Sequence, residues 1–366
     1  MQMQKDGLEA LAAQLLGPHQ VRKTRAQKRA FERFAGDYAA AHGVPMRAEE
    51  GGRWVKSRNL VFGDVGRARV LITAHYDTCA RLPLPNVMTP LCWPLIVLTQ
   101  FVLLPAALVA VGLCAGALAS AGLRAAGVGG MAAMLLAALA FALGIAAAAL
   151  LMIAGPANPH TANDNTSGVL LVLLAAAAFA HRDDVACVLF DNEEKGLLGA
   201  SAFAAAHPAA AGRAFLVQCD CVGDGDTLLY TGAQAALASP QGKRMADALC
   251  ACARGAGLRV RIAPMPGAFY PSDQLCFARG TALAALRGRN LLYLSDIHTA
   301  RDVTLDRRNI RCLLGALRAF LGEDGEKADH HQETEDRRKG TDSHNEETED
   351  RKEEAEDHNK GKSRPQ

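Results

Sequence analysis

The sequence predicts an α/β domain with a mixed, mostly parallel central sheet and helices on both faces, interrupted by a two-helix transmembrane hairpin. Three observations predict this fold class. Short apolar runs alternate with segments of helical spacing along most of the chain. Two long uncharged stretches lie near its middle. Polar residues that can bind metal follow several of the strand-like runs, and open α/β sheets present their ligands at such positions.

The first part of the domain is predicted to span residues 1–82. Its predicted elements are, in order, helices over about residues 5–16 and 24–41 and strands over residues 53–62 and 68–74. The second helix is basic on one side, which usually indicates a solvated face and less often contact with a membrane surface. The second strand contains the continuous apolar run Val70-Leu71-Ile72, which is typical of a central position in a sheet.

The inserted segment, residues 83–157, is predicted to form a hairpin of two membrane-spanning helices. Its only charged residue is Arg124, flanked by uncharged stretches over residues 91–123 and 128–154. A bilayer core about 30 Å thick needs about 20 apolar residues in a helix, and both stretches are long enough. The alternative is a pair of Ala-rich core helices, but a soluble domain rarely leaves so long a run without charge. A kink or a re-entrant start in the first helix is indicated by Pro94, Gln100 and Pro105.

The domain is predicted to resume over residues 158–322. The predicted helices span residues 167–180, 196–206, 240–254 and 304–320, and the predicted strands span residues 185–190, 215–219, 227–230, 259–262, 281–286 and 291–294. The final segment, residues 323–366, has no aromatic residue and repeats Glu-Thr-Glu-Asp-Arg. It cannot bury enough apolar surface to fold, so we expect a disordered charged tail.

Charge and cysteine usage limit the partners and the compartment. The last 44 residues carry 9 basic and 16 acidic side chains, which leaves 31 basic and 22 acidic side chains in the remainder. A basic body favours anionic lipid head groups. The sequence has no basic run with interleaved aromatic residues, which is the pattern that would indicate nucleic-acid binding. The ten cysteines lack the spacing of a disulfide framework, and Asp6 and Glu9 interrupt the short apolar stretch that a secretory signal would need. Together with the basic stretch over residues 22–33, this predicts a multi-pass protein of the cell (inner) membrane with a cytoplasmic domain.

Five short segments supply side chains that could hold a pair of divalent ions. They are His75-Tyr76-Asp77, Asn163-Asp164-Asn165, Glu193-Glu194, Asp220 and His298. Imidazole and carboxylate ligands, with one carboxylate bridging, are the set that two zinc ions require. Each segment alone has an ordinary alternative, such as a helix cap, an exposed acidic turn or a polar loop residue. Their occurrence together, mostly after predicted strands, indicates a two-metal hydrolase site.

The spacing within these segments suggests how they divide the chemistry. In an extended chain His75 and Asp77 lie on one side, so Asp77 can accept a hydrogen bond from the ring nitrogen that His75 does not use for metal. Glu193 and Glu194 diverge in direction, so one can bind metal while the other accepts a proton from water. Asp220 follows a buried apolar run, where an unpaired charge would be costly.

These motifs resemble those of the di-zinc aminopeptidases of the bacterial leucyl aminopeptidase and aminopeptidase Y type, which are related to glutamate carboxypeptidase and glutaminyl cyclase. The family patterns H-x-D, N-D-N/D-x-S-G, D/N-x-E-E-x-G-L-x-G-S, D-x-x-G and I-H-T-x-x-D correspond here to residues 75–77, 163–168, 191–201 (with Ala200 as an extra residue before Ser201), 220–223 and 297–302. The resemblance covers about residues 50–320 and implies a zinc-exopeptidase (phosphorylase/hydrolase-like) fold. The chain departs from the family at Gln274, where a His is customary, and in the hairpin between the first two motifs.

The resemblance also implies roles for individual residues. One zinc ion would be held by His75, Asp164 and Asp220, and the second by Asp164, Glu194 and His298, with Asp164 bridging. Glu193 would be the general base, and Asp77 would orient His75. Mn²⁺ or Co²⁺ could replace zinc, because carboxylates and imidazole accept several ions.

The reaction expected from this resemblance is hydrolysis of an N-terminal peptide bond in a peptide or aminoacyl substrate. Two alternatives remain open at this point. One is a related zinc enzyme of the glutaminyl cyclase or carboxypeptidase type, and the other is a catalytically silent, membrane-anchored binding domain. Silent relatives lose metal ligands, whereas this sequence keeps every one.

Overall fold

An eight-stranded mixed sheet forms the centre of the computed structural model, which describes residues 2–82 and 87–322. The strands are β1 (Met46–Gly51), β2 (Ser57–Phe62), β3 (Val70–His75), β4 (Val185–Phe190), β5 (Phe215–Cys219), β6 (Thr227–Ala233), β7 (Arg259–Met265) and β8 (Gly280–Leu286). Their order across the sheet is β1-β2-β4-β3-β5-β8-β6-β7. The sheet belongs to the unit Met1–Leu317, and residues 318–322 complete the described part of the chain.

The parallel core of this sheet is built around β3. This strand is buried along its whole length and pairs in parallel with β4 on one side and β5 on the other. The β5–β8 and β6–β7 pairs are also parallel, whereas β1–β2, β2–β4 and β6–β8 are antiparallel. The predicted mixed, mostly parallel sheet is therefore confirmed, and so is the central position predicted for the strand that contains Val70-Leu71-Ile72.

Ten α-helices accompany the sheet within the described residues, in addition to a π-helical segment at Ala162–Ser167 and 3₁₀ helices at Glu193–Lys195 and Asp273–Cys276. The α-helices are α1 (Gln2–Leu16), α2 (Arg25–Ala41), α3 (Trp93–Ala125), α4 (Gly130–Ala154), α5 (Gly168–Ala178), α6 (Leu198–Ala206), α7 (Pro208–Arg213), α8 (Gln234–Ala238), α9 (Pro240–Gly255) and α10 (Arg307–Leu321). Helices α6 and α7 pack Phe203 and Ala210 against one face of the sheet, which presents Leu71 and Val188. Helix α5 contacts β3, β4 and β5 on the opposite face, so the sheet is covered on both sides.

Helices α3 and α4 form the predicted hairpin and are long and apolar enough to cross a membrane. Close packing between them depends on glycine: a Cβ on Gly112 would lie 2.7 Å from Ile145, and one on Gly144 would lie 2.8 Å from Ala115. Small residues of this kind let two helix backbones approach each other in lipid. The outer faces are apolar and exposed, since only 6% of the apolar window of α3 and 0% of that of α4 is buried. A pair of soluble core helices would instead be mostly buried.

Helix α3 is irregular just before Pro105. Residues Val97–Leu103 form a π-helical segment, and the Leu104 N–H donates to the Thr99 carbonyl five residues earlier. Because proline has no N–H to continue the regular pattern, a local widening of the helix is a physical response to its presence. The irregularity expected from Pro105 is thus a π-helical widening.

Some sequence expectations differ from the structure, and others fall outside the described residues. The predicted strand over residues 291–294 forms only isolated bridges, Met88 with Leu294 and Arg287 with Tyr293. The strand predicted from residue 53 begins at Ser57, and β1 was not anticipated because its sequence, Met-Arg-Ala-Glu-Glu-Gly, has no apolar alternation. The start of the inserted segment at residues 83–86 and the charged tail at residues 323–366 lie outside the described residues.

Candidate metal centre

All seven predicted site residues lie at the carboxyl edge of the parallel strands. They come from five places in the fold: the end of β3 (His75 and the following Asp77), the loop before α5 (Asp164), the turn after β4 (Glu193, Glu194), the residue after β5 (Asp220) and the loop after β8 (His298). Parallel strands direct their carboxyl ends to one edge, so segments far apart in sequence meet there.

The carboxylate of Asp164 lies between the two histidines. Its Oδ1 is 3.3 Å from Nε2 of His75, and its Oδ2 is 3.0 Å from Nε2 of His298. Each oxygen therefore faces a different imidazole, which is the arrangement that a bridging carboxylate requires.

Each histidine also faces a second carboxylate. His75 Nε2 is 3.5 Å from Asp220 Oδ1, and His298 Nε2 is 3.4 Å from Glu194 Oε2. Ligand atoms placed about 2.0–2.3 Å from a tetrahedral zinc ion are separated by about 3.3–3.8 Å, so these spacings fit two adjacent ions. In addition, Asp220 Oδ1 and Glu194 Oε1 are buried and have no hydrogen-bond partner among the described residues. The donor set therefore fits a pair of divalent cations.

The loop that carries Asp164 is held by backbone hydrogen bonds to Asp302. The Asp302 carboxylate accepts hydrogen bonds from the N–H groups of Asn163 (2.7 Å) and Asp164 (2.9 Å). Burial raises the pKa of Asp302 to about 8, and these two bonds act in the opposite direction. Asp302 thus fixes the backbone of Asp164.

Asn165 and Gly168 press the same loop against the end of β5. The Asn165 side chain donates to the Cys219 carbonyl (3.0 Å) and accepts from the Gly168 N–H (3.0 Å). A Cβ on Gly168 would lie 2.2 Å from the Cys219 carbonyl oxygen, so no larger residue fits there. This close approach places Asp164 beside Asp220, the residue that follows Cys219.

Asp77 contacts the Glu193-Glu194 turn more closely than it contacts the His75 ring. Nδ1 of His75 is 3.1 Å from the Asp77 backbone carbonyl oxygen but 3.6 Å from its carboxylate. The carboxylate instead accepts from the N–H groups of Glu193 (3.0 Å) and Glu194 (3.4 Å). The distance between the carboxylate and the ring is therefore too long for the expected hydrogen bond. The carboxylate instead positions the Glu193-Glu194 turn.

The backbone of this turn is unusual, which explains how two adjacent glutamates both face the site. Asn192 and Leu197 have positive φ values of 56° and 60°, and Gly196 has a φ of 95°. Asn192 is held from both sides, because its amide group donates to Ser57 (3.0 Å) and its carbonyl oxygen accepts from Lys28 (2.9 Å). Residues other than glycine rarely adopt a positive φ without such support.

Burial and mutual charge shift the pKa values throughout the cluster. Burial raises the pKa of Glu194 to about 7 and that of Glu193 well above its ordinary value. Burial alone would lower the pKa of His298, but the negative charge of Glu194 and the contact with Asp164 raise it to about 9. For Asp164, burial is outweighed by hydrogen bonds from His298 and His75, which hold its pKa well below the ordinary value. The raised pKa values of Glu193, Glu194 and His298 mean that these groups retain protons in the metal-free protein. A divalent cation would displace such protons on binding.

Arg22 is a site residue that sequence reasoning missed. It is fully buried, and it donates to the Tyr76 carbonyl (2.6 Å) and to the Thr166 hydroxyl (3.2 Å). It therefore links the His75–Asp77 segment to the loop of Asp164. Burial lowers the pKa of Arg22 to about 10, although the charges of Asp77 and Asp164 oppose this effect. Nothing in the local sequence separates it from its exposed neighbour Arg25.

Gln274, where the chain departs from the family pattern, is buried next to the site together with the adjacent Asp273. Its side chain donates to the Tyr270 carbonyl (2.6 Å), and Tyr270 donates in turn to the Asp220 carbonyl (3.0 Å). The adjacent Asp273 accepts from Gln218 (3.0 Å), and burial raises the pKa of Asp273 to about 8. Gln274 is therefore not one of the histidines and carboxylates that form the candidate metal centre.

Comparison with known families agrees with this architecture. Residues 149–311 match the model of peptidase family M28, and the resemblance seen in the motifs is confirmed. The matched range includes Asp164, Glu194 and His298 and begins within α4, after the His75–Asp77 segment.

Solved structures share the fold at low sequence identity. The Legionella pneumophila LapA aminopeptidase is 13% identical, with 86% of this chain and 68% of that chain covered and a TM-score of 0.51. The Porphyromonas gingivalis glutaminyl cyclase is 14% identical, with 87% and 98% covered and a TM-score of 0.54. The Fimbriiglobus ruber glutaminyl cyclase is 14% identical, with 86% and 93% covered and a TM-score of 0.52. No curated protein sequence matches the chain.

Proposed function

We propose that the protein is a membrane-anchored, metal-dependent exopeptidase that hydrolyses N-terminal peptide bonds at a site for two zinc ions. The observation that carries this proposal is the Asp164 carboxylate, whose two oxygens face two different imidazoles at 3.3 and 3.0 Å. The match of residues 149–311 to peptidase family M28 supports hydrolysis of a peptide or aminoacyl substrate.

Five side chains would hold the two ions. His75, Asp164 and Asp220 would bind one, and Asp164, Glu194 and His298 would bind the other. When bound, zinc supplies Lewis-acid polarisation of a carbonyl group and a lowered pKa for the attacking water. Mn²⁺ and Co²⁺ have the same preference for nitrogen and oxygen ligands and are alternatives to zinc.

Glu193 would act as the general base. Its carboxylate lies within 4.8 Å of the ligand atoms of His75 and Glu194, so it reaches the space between them. It would accept the proton of the attacking water and pass that proton to the leaving amine. Asp77 would keep Glu193 in place through the hydrogen bond from the Glu193 N–H.

Anchoring in the membrane is supported by the exposed apolar surfaces of α3 and α4. A helix of 25 residues, such as α4, is about 38 Å long and exceeds a hydrocarbon core of about 30 Å. In this arrangement the hairpin, residues 83–157, divides the peptidase domain into residues 1–82 and 158–322. The ends of the hairpin contact segments that carry site residues. Lys23, which follows Arg22, donates to the Ile153 carbonyl (2.6 Å), and Ala80, three residues after Asp77, forms a bridge with Ala157.

The decisive experiment combines metal analysis with a substrate panel on the detergent-solubilised protein. The Glu193→Gln variant should keep both metals and lose about 10²–10⁴-fold in turnover, because the proton acceptor is removed. The Asp164→Asn variant should lose metal as well as activity, because the bridging group serves both ions. Glu9→Gln, at an exposed position, is the control and should behave as wild type. Near-normal turnover by a metal-replete Glu193→Gln protein would contradict the assignment of the base.

The same measurements separate the competing functions. Two zinc ions per chain and release of N-terminal residues from aminoacyl amides support the exopeptidase. One ion with cyclisation of N-terminal glutamine would support a glutaminyl cyclase, whereas release of C-terminal residues would support a carboxypeptidase. A protein that binds no metal and turns over none of these substrates would be a binding domain.

A further inference from the structure

Cys79 lies beside the second candidate metal position and is absent from the ligand set described so far. Its side chain is buried, with 1% exposed. Its Sγ, a carboxylate oxygen of Glu194 and a ring nitrogen of His298 all lie within 4.8 Å of one another. The Oε1 atom of Glu194 is buried and has no hydrogen-bond partner among the described residues. The thiol is therefore part of a three-residue donor cluster.

Backbone contacts hold this thiol and His298 in a fixed relationship. The Leu82 N–H, three residues after Cys79, donates to the His298 carbonyl (2.8 Å). On the other side, the Asn158 N–H donates to the Cys79 carbonyl (3.2 Å), and Ala80 forms a bridge with Ala157. The segment that carries Cys79 is thus pinned between the His298 loop and the returning end of the hairpin.

We propose that Cys79 is a fourth protein ligand at the position formed by Asp164, Glu194 and His298, and that it makes this position selective for zinc. The proposal rests on the two-metal site described under the proposed function. The sulfur would bind as a thiolate and release its proton to solvent, as cysteine ligands do. Thiolate is a soft ligand that favours zinc, whereas a set of carboxylates and imidazole alone also suits manganese.

The two positions would then differ in kind. His75, Asp164 and Asp220 give one position three protein ligands, which leaves room for water, as in catalytic zinc sites. The thiolate would complete four protein ligands at the other position, which is the pattern of closed zinc sites. The proposal therefore assigns tight, selective metal retention to the position beside the hairpin.

Cobalt spectroscopy of the full-length protein in detergent tests this ligand. The chelator-stripped protein is titrated with Co²⁺, because cobalt bound to thiolate gives a sulfur-to-metal charge-transfer band in the near ultraviolet. Wild type should develop this band together with visible d–d bands. Cys79→Ala should lose the charge-transfer band and keep the d–d bands, while Cys187→Ala, a control at another buried thiol, should keep both. A charge-transfer band that persists in Cys79→Ala would overturn the proposal.

The test also separates failure of this ligand from failure of the metal site. Wild type that binds two cobalt ions with d–d bands and no charge-transfer band would refute Cys79 and leave the metal site standing. Wild type that binds no cobalt would refute the site itself. In competition, Cys79→Ala should lower the preference for zinc over manganese by at least about tenfold, since even groups outside the ligand shell affect affinity by about 10–100-fold. An unchanged preference would contradict the proposal.

A measurement on wild type alone covers the case in which Cys79→Ala does not fold. Cys79 should resist alkylation in the zinc-loaded protein and become reactive after chelation, as mapped by peptide mass spectrometry. Cys187 should react equally slowly in both states. Equal reactivity of Cys79 with and without zinc would overturn its assignment as a ligand.

Discussion

Replacement of Arg22 by methionine removes a fully buried cation beneath the candidate metal centre and keeps much of the side chain's apolar volume. The guanidinium makes two hydrogen bonds of 2.6 Å, to the Tyr76 and His19 carbonyls. Hydrogen bonds to a charged group are worth about 1.5–3 kcal/mol each, so these two contribute about 3–6 kcal/mol. The substitution also leaves both carbonyl oxygens without this donor, and the buried charges of Asp77 and Asp164 lose a nearby cation. We expect a loss of about 3–5 kcal/mol in the free energy of unfolding, as for other broken buried charge contacts.

The assay is thermal unfolding of the detergent-solubilised, full-length protein. At about 2–3 °C per kcal/mol for a large domain, Arg22→Met should lower the Tm by about 6–15 °C. Arg22→Lys should fall between wild type and Arg22→Met, because lysine keeps the charge but cannot form the planar fork of hydrogen bonds. Arg25→Met is the matched control: this arginine is exposed, and its loss should change stability by less than about 0.5 kcal/mol. The reasoning is refuted if Arg22→Met melts within about 2 °C of wild type, or if Arg25→Met melts as low as Arg22→Met.

Three other predictions concern pH, the tail and the membrane. Burial raises the pKa of Glu194 to about 7 and that of Asp302 to about 8. The folded, metal-free protein therefore holds protons that the unfolded chain releases near pH 4, and its stability falls as the pH rises through about 7–8. Chelator-treated protein should melt lower at pH 9 than at pH 6, and the opposite order would contradict these shifts. Truncation after Gly322 should leave activity and Tm nearly unchanged, and a markedly lower Tm would mean that the tail packs on the domain. In intact cells, an impermeant thiol reagent should label a cysteine placed next to Arg124 but not one placed in the tail. The reverse pattern would invert the orientation, and a protein that labels at neither position and is released by carbonate washing would have no membrane hairpin.

Much of the fold and of the candidate site could be predicted because both depend on short-range patterns. The apolar run Val70-Leu71-Ile72 indicated a central strand, and β3 occupies that position between β4 and β5. Metal-binding side chains need particular residue types at strand ends, so Asp164 and His298 could be selected from sequence although they are far apart along the chain. The structure brings these two residues within 3.0 Å of each other.

The remaining features depend on contacts that no local pattern encodes. Arg22 lies in the same basic stretch as the exposed Arg25, and only the fold shows that its partners are the carbonyl of Tyr76 and the hydroxyl of Thr166. The i, i+2 spacing placed His75 and Asp77 on one side of the chain, but it could not show that the Asp77 carboxylate would accept from the Glu193 N–H. Strand β1 is polar and pairs with β2 alone, so its place comes from backbone pairing and not from apolar alternation.

The position of the hairpin in the sequence has a consequence for the order in which the molecule is built. Strand β3 leaves the ribosome before α3 and α4, whereas both of its partners, β4 and β5, are synthesised after them. The middle of the sheet therefore has no neighbour to pair with until both apolar helices have been made. Until then the apolar residues of β3 have no sheet to cover them, so a chain stalled within the hairpin would expose a strand prone to aggregation. Synthesis of the hairpin is in this sense a step in the assembly of the whole domain, and the candidate metal centre can form only after it.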